Sequence, residues 1–299
     1  MSDVGNIYAA THGLEPGAPY ANGQFSNGPV WAQDLSHSLG LGALSASLLG
    51  GTDYAFGGAT TGYAGTTTSG SSIPTVSQQV GGFLAAHGSV APSSALYSIW
   101  IGSNDIFNII TGGVTGTAAV IDAQGAAQAE ATAIKSLAAA GAKDFLVPLV
   151  TNLGKTPTLT SVSLAASAAG TALSQAYDAA LVADLAALAS TPGIALSYLD
   201  TFSLLDSAIA TPAAYGLKNV INPCYTGPYT GVGGTVCATP NSYLFWDQLH
   251  PTATGQAIIA TAAFDTVPEP AAIAILASGL AGMAALRFRP RAARHNGPR

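Results

Sequence analysis

Two residues near the C-terminal end of the chain have the chemistry of a proton-transfer pair. Asp247 and His250 are three residues apart, between an aromatic run and Pro251. A carboxylate that accepts a hydrogen bond from one ring nitrogen of a histidine fixes the tautomer. The other nitrogen is then free to take a proton from a nucleophile. Proline is also common at the first position of a helix, so the pair could equally be a solvated turn before a helix. The other polar residues of the chain must decide between the two interpretations.

Two further segments could supply hydrogen-bond donors to a reacting carbonyl. Gly57-Gly58 follows the predicted strand 53–56, and Gly102-Ser103-Asn104-Asp105 follows the predicted strand 95–101. A glycine lets its backbone N–H approach a ligand closely, and an asparagine amide adds a second donor. Together Gly58 and Asn104 could form an oxyanion hole. Taken singly, each segment is equally typical of an ordinary turn.

The pattern of apolar residues predicts the elements that would hold these groups. Continuous apolar runs between turn signals predict buried strands, with residues 95–101 expected to be covered on both faces. Strands alternating with long helices indicate parallel βαβ units. We therefore expect a three-layer α/β/α sandwich with a mainly parallel sheet, whose strands end at the candidate site. The other predicted strands are 144–150 and 194–199, and the predicted helices are 29–38, 74–86, 118–140, 161–189 and a segment from Pro251 to about 264.

Charge is scarce and unevenly distributed. Only 8 % of the 299 residues are charged, and the arginines all lie in the last 13 positions. Up to Thr266 there are 4 basic and 14 acidic residues, a balance of −10, whereas the remainder has 5 against 1, or +4. A body this acidic, without a basic stripe, argues against nucleic acid as a partner.

The two cysteines, Cys224 and Cys237, flank a loop of 12 residues rich in Gly, Pro and Thr. A bridge between them would stabilise the fold by about 3 kcal/mol through loop closure and would need an oxidising compartment. The alternative is a pair of free buried thiols. No Cys/His cluster with the spacing of a zinc site is found in the sequence.

Five blocks in order along the chain resemble the GDSL, or SGNH, hydrolase family of esterases and lipases, which has a flavodoxin-like fold. The resemblance implies that His250 is the general base and Asp247 its orienting acid. It also implies that Gly58, or less favourably Gly57, and Asn104 form the oxyanion hole, and that ester hydrolysis needs no metal or cofactor. The matching blocks are residues 2–6, 22–31, 54–59, 102–105 and 243–252.

The first block departs from the family pattern. The family's Gly-Asp-Ser-Leu carries the nucleophilic serine, and Met1 stands where the leucine would be. Ser2 matches a later, non-nucleophilic serine. The nucleophile is thus absent from the chain, and the strand that precedes it in the family is missing too. We expect both to be encoded upstream of a misassigned start, together with an export signal, and we expect the chain as given to be inactive. The alternative is a non-catalytic exported surface or carbohydrate-associated protein that keeps the hydrolase fold.

The C-terminal segment differs from the rest of the chain. Pro268-Glu269-Pro270 is followed by an apolar run, residues 271–286, and by the arginine cluster. This order resembles a PEP-CTERM sorting signal. It implies export in a Gram-negative bacterium, transient membrane association through 271–286, and a sorting protease as a partner. We therefore divide the chain into a hydrolase domain, 1–266, and a sorting segment, 267–299.

Overall fold

The computed structural model describes residues 1–267, and Met1–Thr266 form one compact unit. The Pro-Glu-Pro sequence, the apolar run 271–286 and the arginine cluster lie outside the described residues, so the two-part division of the chain stays a prediction. The helices are α1 (Asn6–Ala10), α2 (Trp31–Ser38), α3 (Val76–Ala86), α4 (Ser103–Thr111), α5 (Gly116–Ala139), α6 (Pro157–Val162), α7 (Leu164–Ala189), α8 (Thr201–Ala210) and α9 (Ala253–Thr266). The strands are β1 (Gly65–Thr66), β2 (Ser72–Ile73), β3 (Leu96–Ser98), β4 (Asp144–Pro148), β5 (Ala195–Leu199), β6 (Asn219–Pro223) and β7 (Tyr243–Phe245).

A parallel sheet in the order β3-β4-β5 forms the centre of this unit. Phe145, Leu146 and Val147, in the middle strand, are each at most 2 % exposed. Consecutive strand residues point to opposite faces, so both faces of β4 are covered. Helices α3, α4, α5 and α7 pack with β3 and β4 in the main core, and α9 contacts both β5 and α2. The predicted α/β layers with a mainly parallel sheet are therefore confirmed.

Small residues let the two longest helices approach each other. Ala123, Ala127 and Ala131 recur every four residues along α5 and are fully buried. Larger side chains recur at the same spacing along α7 and are buried too. Residues four apart lie on one helical face, so each helix turns one continuous apolar stripe toward the core. The α7 stripe consists of Leu173, Tyr177, Leu181 and Leu185.

Three of the predicted elements differ in the structure. Residues 53–56 are not a strand: Asp53 makes only an isolated bridge to Ala46, because the carbonyl groups of Asp53 and Ala55 accept hydrogen bonds from the Asn6 side chain. The long helix predicted over 161–189 is broken at Ser163, which is extended and caps α7 by accepting a hydrogen bond from the N–H of Ala166.

The prediction that residues 95–101 are covered on both faces is also wrong. Regular pairing in β3 ends at Ser98, whose side chain is exposed. Within residues 1–267, β3 pairs only with β4, so its other edge carries no strand. No helix within that same range is both long and apolar enough to cross a membrane.

A second parallel pair, which the sequence pattern did not indicate, leads directly to the candidate site. Strand β6 pairs with β7, with Asn219 opposite Tyr243 and Pro223 opposite Phe245. Leu244 and Phe245 of β7 are buried together with Leu217 and Val220 in a small apolar cluster. This anchored strand fixes the start of the segment that carries Asp247 and His250.

Candidate active site

The turn after β7 brings Asp247 and His250 into direct contact. Nδ1 of His250 lies 2.8 Å from Oδ2 of Asp247. Oδ1 of Asp247 accepts the backbone N–H groups of Leu249, at 2.8 Å, and of His250, at 2.7 Å. An aspartate that accepts N–H groups two and three residues further on forms its own turn. The local sequence therefore sets the geometry of this pair.

Asp247 is only 4 % exposed, yet its charged form is favoured. Burial acts to raise its pKa. The charge and hydrogen bonds of His250, with the Leu249 N–H, outweigh this effect and lower the pKa of Asp247 below its ordinary value. Oδ2 also accepts the hydroxyl of Tyr20 at 2.7 Å. The carboxylate thus receives four donors, and a negative Asp247 is suited to orient and stabilise a protonated imidazole.

Aromatic rings surround the imidazole of His250. The Phe25 ring centroid is 5.1 Å away, and that of Tyr229 is 5.9 Å away. Tyr229 lies on the loop between Cys224 and Cys237, which form a disulfide. The bridge closes this loop, so it limits the freedom of the segment that covers one side of the imidazole.

The turn at Gly57-Gly58 can present one backbone donor. Gly58 has a φ of +79°, which is in the left-handed region that favours glycine. The N–H of Gly57 donates to Oδ2 of Asp3 at 2.8 Å, whereas no acceptor for the N–H of Gly58 is found among residues 1–267. Of the two glycines, Gly58 is therefore the one with an N–H available to a ligand.

Asn104 lies in the first turn of α4, where the unpaired N–H groups and the helix dipole favour negative charge. Its Nδ2 donates one hydrogen to the carbonyl of Ala59 at 2.9 Å, and an amide has a second hydrogen to donate. The next residue, Asp105, accepts both the backbone N–H and the hydroxyl of Thr61. These contacts join α4 to the glycine turn, so they connect the elements that carry the two candidate donors.

The candidate residues line one cavity of about 110 Å³. Its wall includes His250, Gly58, Asn104, Met1 and Ser2, while Asp247 lies behind His250. The hydroxyl of Ser2 accepts a hydrogen bond from Nε1 of Trp31 at 3.1 Å, and no bond to His250 is seen among the described residues.

Several supporting residues were not singled out from the sequence. Tyr20, Phe25 and Tyr229 surround the Asp247–His250 pair, and the carboxylates of Asp3 and Asp105 hold the opposite side of the cavity. Burial raises the pKa of Asp3 above its ordinary value. The carboxylate also accepts four backbone N–H groups, and these hydrogen bonds lower the pKa without cancelling the effect of burial. Asp3, Phe25 and Asp105 lie inside the blocks that match the family, whereas Tyr20 and Tyr229 lie outside them and no sequence signal marks them.

A family model described as GDSL-like lipase/acylhydrolase matches residues 2–263. The chain belongs to this family. Its match covers the strands, the glycine turn, α4 and the Asp247–His250 turn, so the whole candidate site lies within it.

Individual relatives are similar over a large part of the chain. The esterase EstA of Pseudomonas aeruginosa is 30 % identical over 201 residues, 64 % of this chain and 29 % of the relative. An uncharacterized protein from the trpE-trpG intergenic region of Pseudomonas putida is 30 % identical over 210 residues, 65 % of this chain and 32 % of the relative. The phosphatidylcholine-sterol acyltransferase of Aeromonas hydrophila is 28 % identical over 232 residues, 77 % of this chain and 64 % of that protein. The chain thus spans about a third of the length of the two Pseudomonas relatives.

Proposed function

We propose that this chain provides the acid–base pair and the oxyanion hole of a serine ester hydrolase. The observation that carries the proposal is that one cavity is lined by His250, Gly58 and Asn104, with Asp247 hydrogen-bonded behind the histidine. Membership of the GDSL-like family and similarity to a named esterase support the same reaction class.

In the proposed reaction, a serine hydroxyl attacks the ester carbonyl carbon while Nε2 of His250 accepts its proton. Asp247 stabilises the imidazolium. The N–H of Gly58 and the side-chain amide of Asn104 hold the negative oxygen of the tetrahedral intermediate. The alcohol then leaves with the proton from His250. A water molecule, deprotonated by the same residue, releases the acid from the acyl-enzyme.

We further propose that the nucleophilic serine is encoded upstream of Met1. The hydroxyl of Ser2 is hydrogen-bonded to Trp31, on a segment that matches a non-nucleophilic position of the family motif.

The test compares two forms of the protein, residues 1–299 and a form extended by the in-frame upstream sequence. We expect turnover of neutral p-nitrophenyl esters only in the extended form, and its loss in His250→Gln. The matched control is His37→Gln, which changes an exposed histidine on α2. An inactive extended form that is folded would refute the hydrolase proposal and would favour a non-catalytic surface protein.

For the C-terminal segment, we propose that the Pro-Glu-Pro sequence and the apolar run 271–286 direct sorting at the membrane after export, with cleavage by a sorting protease. The composition and order of residues 268–299 support this proposal. Expression of the extended form in a Gram-negative host should give membrane-associated precursor and a shorter surface product. Replacement of Glu269 by Ala should cause precursor to accumulate. Equal processing of both versions would contradict it.

A further inference from the structure

One oxygen of the buried carboxylate is shared between two donors from distant parts of the chain. Oδ2 of Asp247 lies 2.8 Å from Nδ1 of His250 and 2.7 Å from the hydroxyl of Tyr20. Tyr20 lies 227 residues from Asp247 along the chain, in the Gly- and Pro-rich loop that precedes α2. A hydroxyl that bonds to this oxygen affects both where the carboxylate points and how much negative charge His250 experiences.

The ring of Tyr20 is held in place from several sides. It is 4 % exposed and makes edge-to-face contacts with four aromatic rings, at centroid distances between 5.4 and 6.2 Å. Edge-to-face pairs at such distances are favourable. Because several of them already fix the ring of Tyr20, the hydrogen bond from its hydroxyl to Asp247 costs little further side-chain entropy. The four rings belong to Phe25, Tyr225, Tyr229 and Trp246.

We propose that Tyr20 is a positioning residue for the Asp247–His250 pair. Its hydroxyl holds Oδ2 of Asp247 in line with Nδ1 of His250 and takes part of the negative charge of that oxygen. This positioning role rests on the proposed function only because it treats His250 as the catalytic base. The hydrogen bonds of Asp247 with Tyr20 and His250 can be measured without any turnover of substrate.

The hydroxyl also favours the ionised form of Asp247, since a donor to a carboxylate stabilises its charge. Reciprocally, burial first and then the charge of Asp247 raise the pKa of Tyr20 well above its ordinary value. Tyr20 therefore stays protonated and acts as a donor at every physiological pH. The other ionisable groups that face the charge of Asp247 are His250, Tyr225, Tyr229 and the Met1 amine.

The test uses Tyr20→Phe in the full chain, with Tyr225→Phe as the matched control. Tyr225 belongs to the same aromatic cluster, but its hydroxyl donates to the carbonyl groups of Pro228 and Gly233 instead of to Asp247. We expect Tyr20→Phe to raise the pKa of the Asp247 carboxyl by about 1, since a hydrogen bond to a charged group contributes about 1.5 kcal/mol. The Nδ1–H proton of His250 should move further downfield, because Oδ2 loses its second donor. The pKa of Asp247 and the Nδ1–H resonance of His250 should both stay unchanged in Tyr225→Phe.

A second measurement covers the case in which Tyr20→Phe does not fold. Uniform incorporation of 3-fluorotyrosine makes every tyrosine hydroxyl more acidic and so strengthens the bond to Asp247. The Nδ1–H proton should then move upfield, opposite to its shift in Tyr20→Phe. Unchanged resonances in the fluorinated protein, or equal changes in the two phenylalanine variants, would overturn the positioning role.

In the extended form, Tyr20→Phe should lower kcat about tenfold with little change in KM, because Oδ2 of Asp247 loses the donor that fixes its position while the substrate contacts remain. Tyr225→Phe should leave both constants unchanged. An inactive extended form combined with the expected resonance shifts would refute the hydrolase function and leave the hydrogen-bond role of Tyr20 standing.

Discussion

Asp178 on α7 makes the stability of this protein depend on pH in the direction opposite to that expected for a salt-bridged carboxylate. Its side chain is buried and accepts the backbone N–H of Val150 at 2.7 Å. Burial raises the pKa of Asp178 to about 8, helped by the charge of Asp200, while the Val150 N–H acts the other way. The folded protein therefore holds a proton here that an unfolded chain releases near pH 4.

Between about pH 4 and pH 8, the folded state binds more protons at Asp178 than the unfolded state. The free energy of unfolding consequently falls as the pH rises through this window and levels off above it. One group contributes a slope of about 1.4 kcal/mol per pH unit inside the window, hence about 2.7 kcal/mol between pH 5 and pH 7. Asp53, whose pKa burial raises to about 7, adds a slope of the same sign.

The variant Asp178→Asn isolates this contribution, because asparagine offers the same acceptor to Val150 and cannot ionise. We expect the variant to be close to the native protein at pH 5 and more stable than it by about 2–3 kcal/mol at pH 7, in urea unfolding followed by circular dichroism. The exposed Asp122→Asn on α5 is the control and should run parallel to the native protein. A stability difference that does not grow with pH would refute the argument that Asp178 is protonated in the folded state.

Three further predictions concern the cavity and its surroundings. Loss of the Cys224–Cys237 bridge, in the double serine variant, should reduce the free energy of unfolding by about 3 kcal/mol, because the bridge closes a short loop in the unfolded chain; an unchanged urea midpoint would contradict this. In the extended form, Thr61→Val should lower kcat about fivefold, because it removes the hydroxyl that donates to Asp105 and so loosens the turn that carries Gly58. Full activity of this variant would show that the Thr61–Asp105 hydrogen bond does not position Gly58. No Lys or Arg is found among the described residues that line the cavity, so a neutral ester should be hydrolysed about tenfold faster than an anionic ester of equal length, with a smaller difference at high salt.

The sequence pattern predicted most helices and the three strands of the central sheet, because these elements depend on local periodicity. It failed where contacts with side chains far away in the sequence decide the conformation. Residues 53–56 have the composition of a strand, but the Asn6 side chain donates to the carbonyl groups of two of them, Asp53 and Ala55. The hydrogen bond from Tyr20 to Asp247 joins residues 227 positions apart, and no spacing rule identifies such a pair.

The two halves of the candidate site are held by contacts that span different distances along the chain. Asp247 positions His250 within a single turn, through its own backbone N–H contacts. The relative position of Gly58 and Asn104 depends instead on long-range contacts, among them the bonds between Asp105 and Thr61, 44 residues apart. Substitutions of Asp105 should therefore disturb Gly58 and Asn104, the proposed oxyanion donors, while the Nδ1–H resonance of His250 stays in place. An Asp-x-x-His turn can form from its own backbone contacts, so finding one in a sequence is weaker evidence for a complete site than the distant contacts that position Gly58 and Asn104.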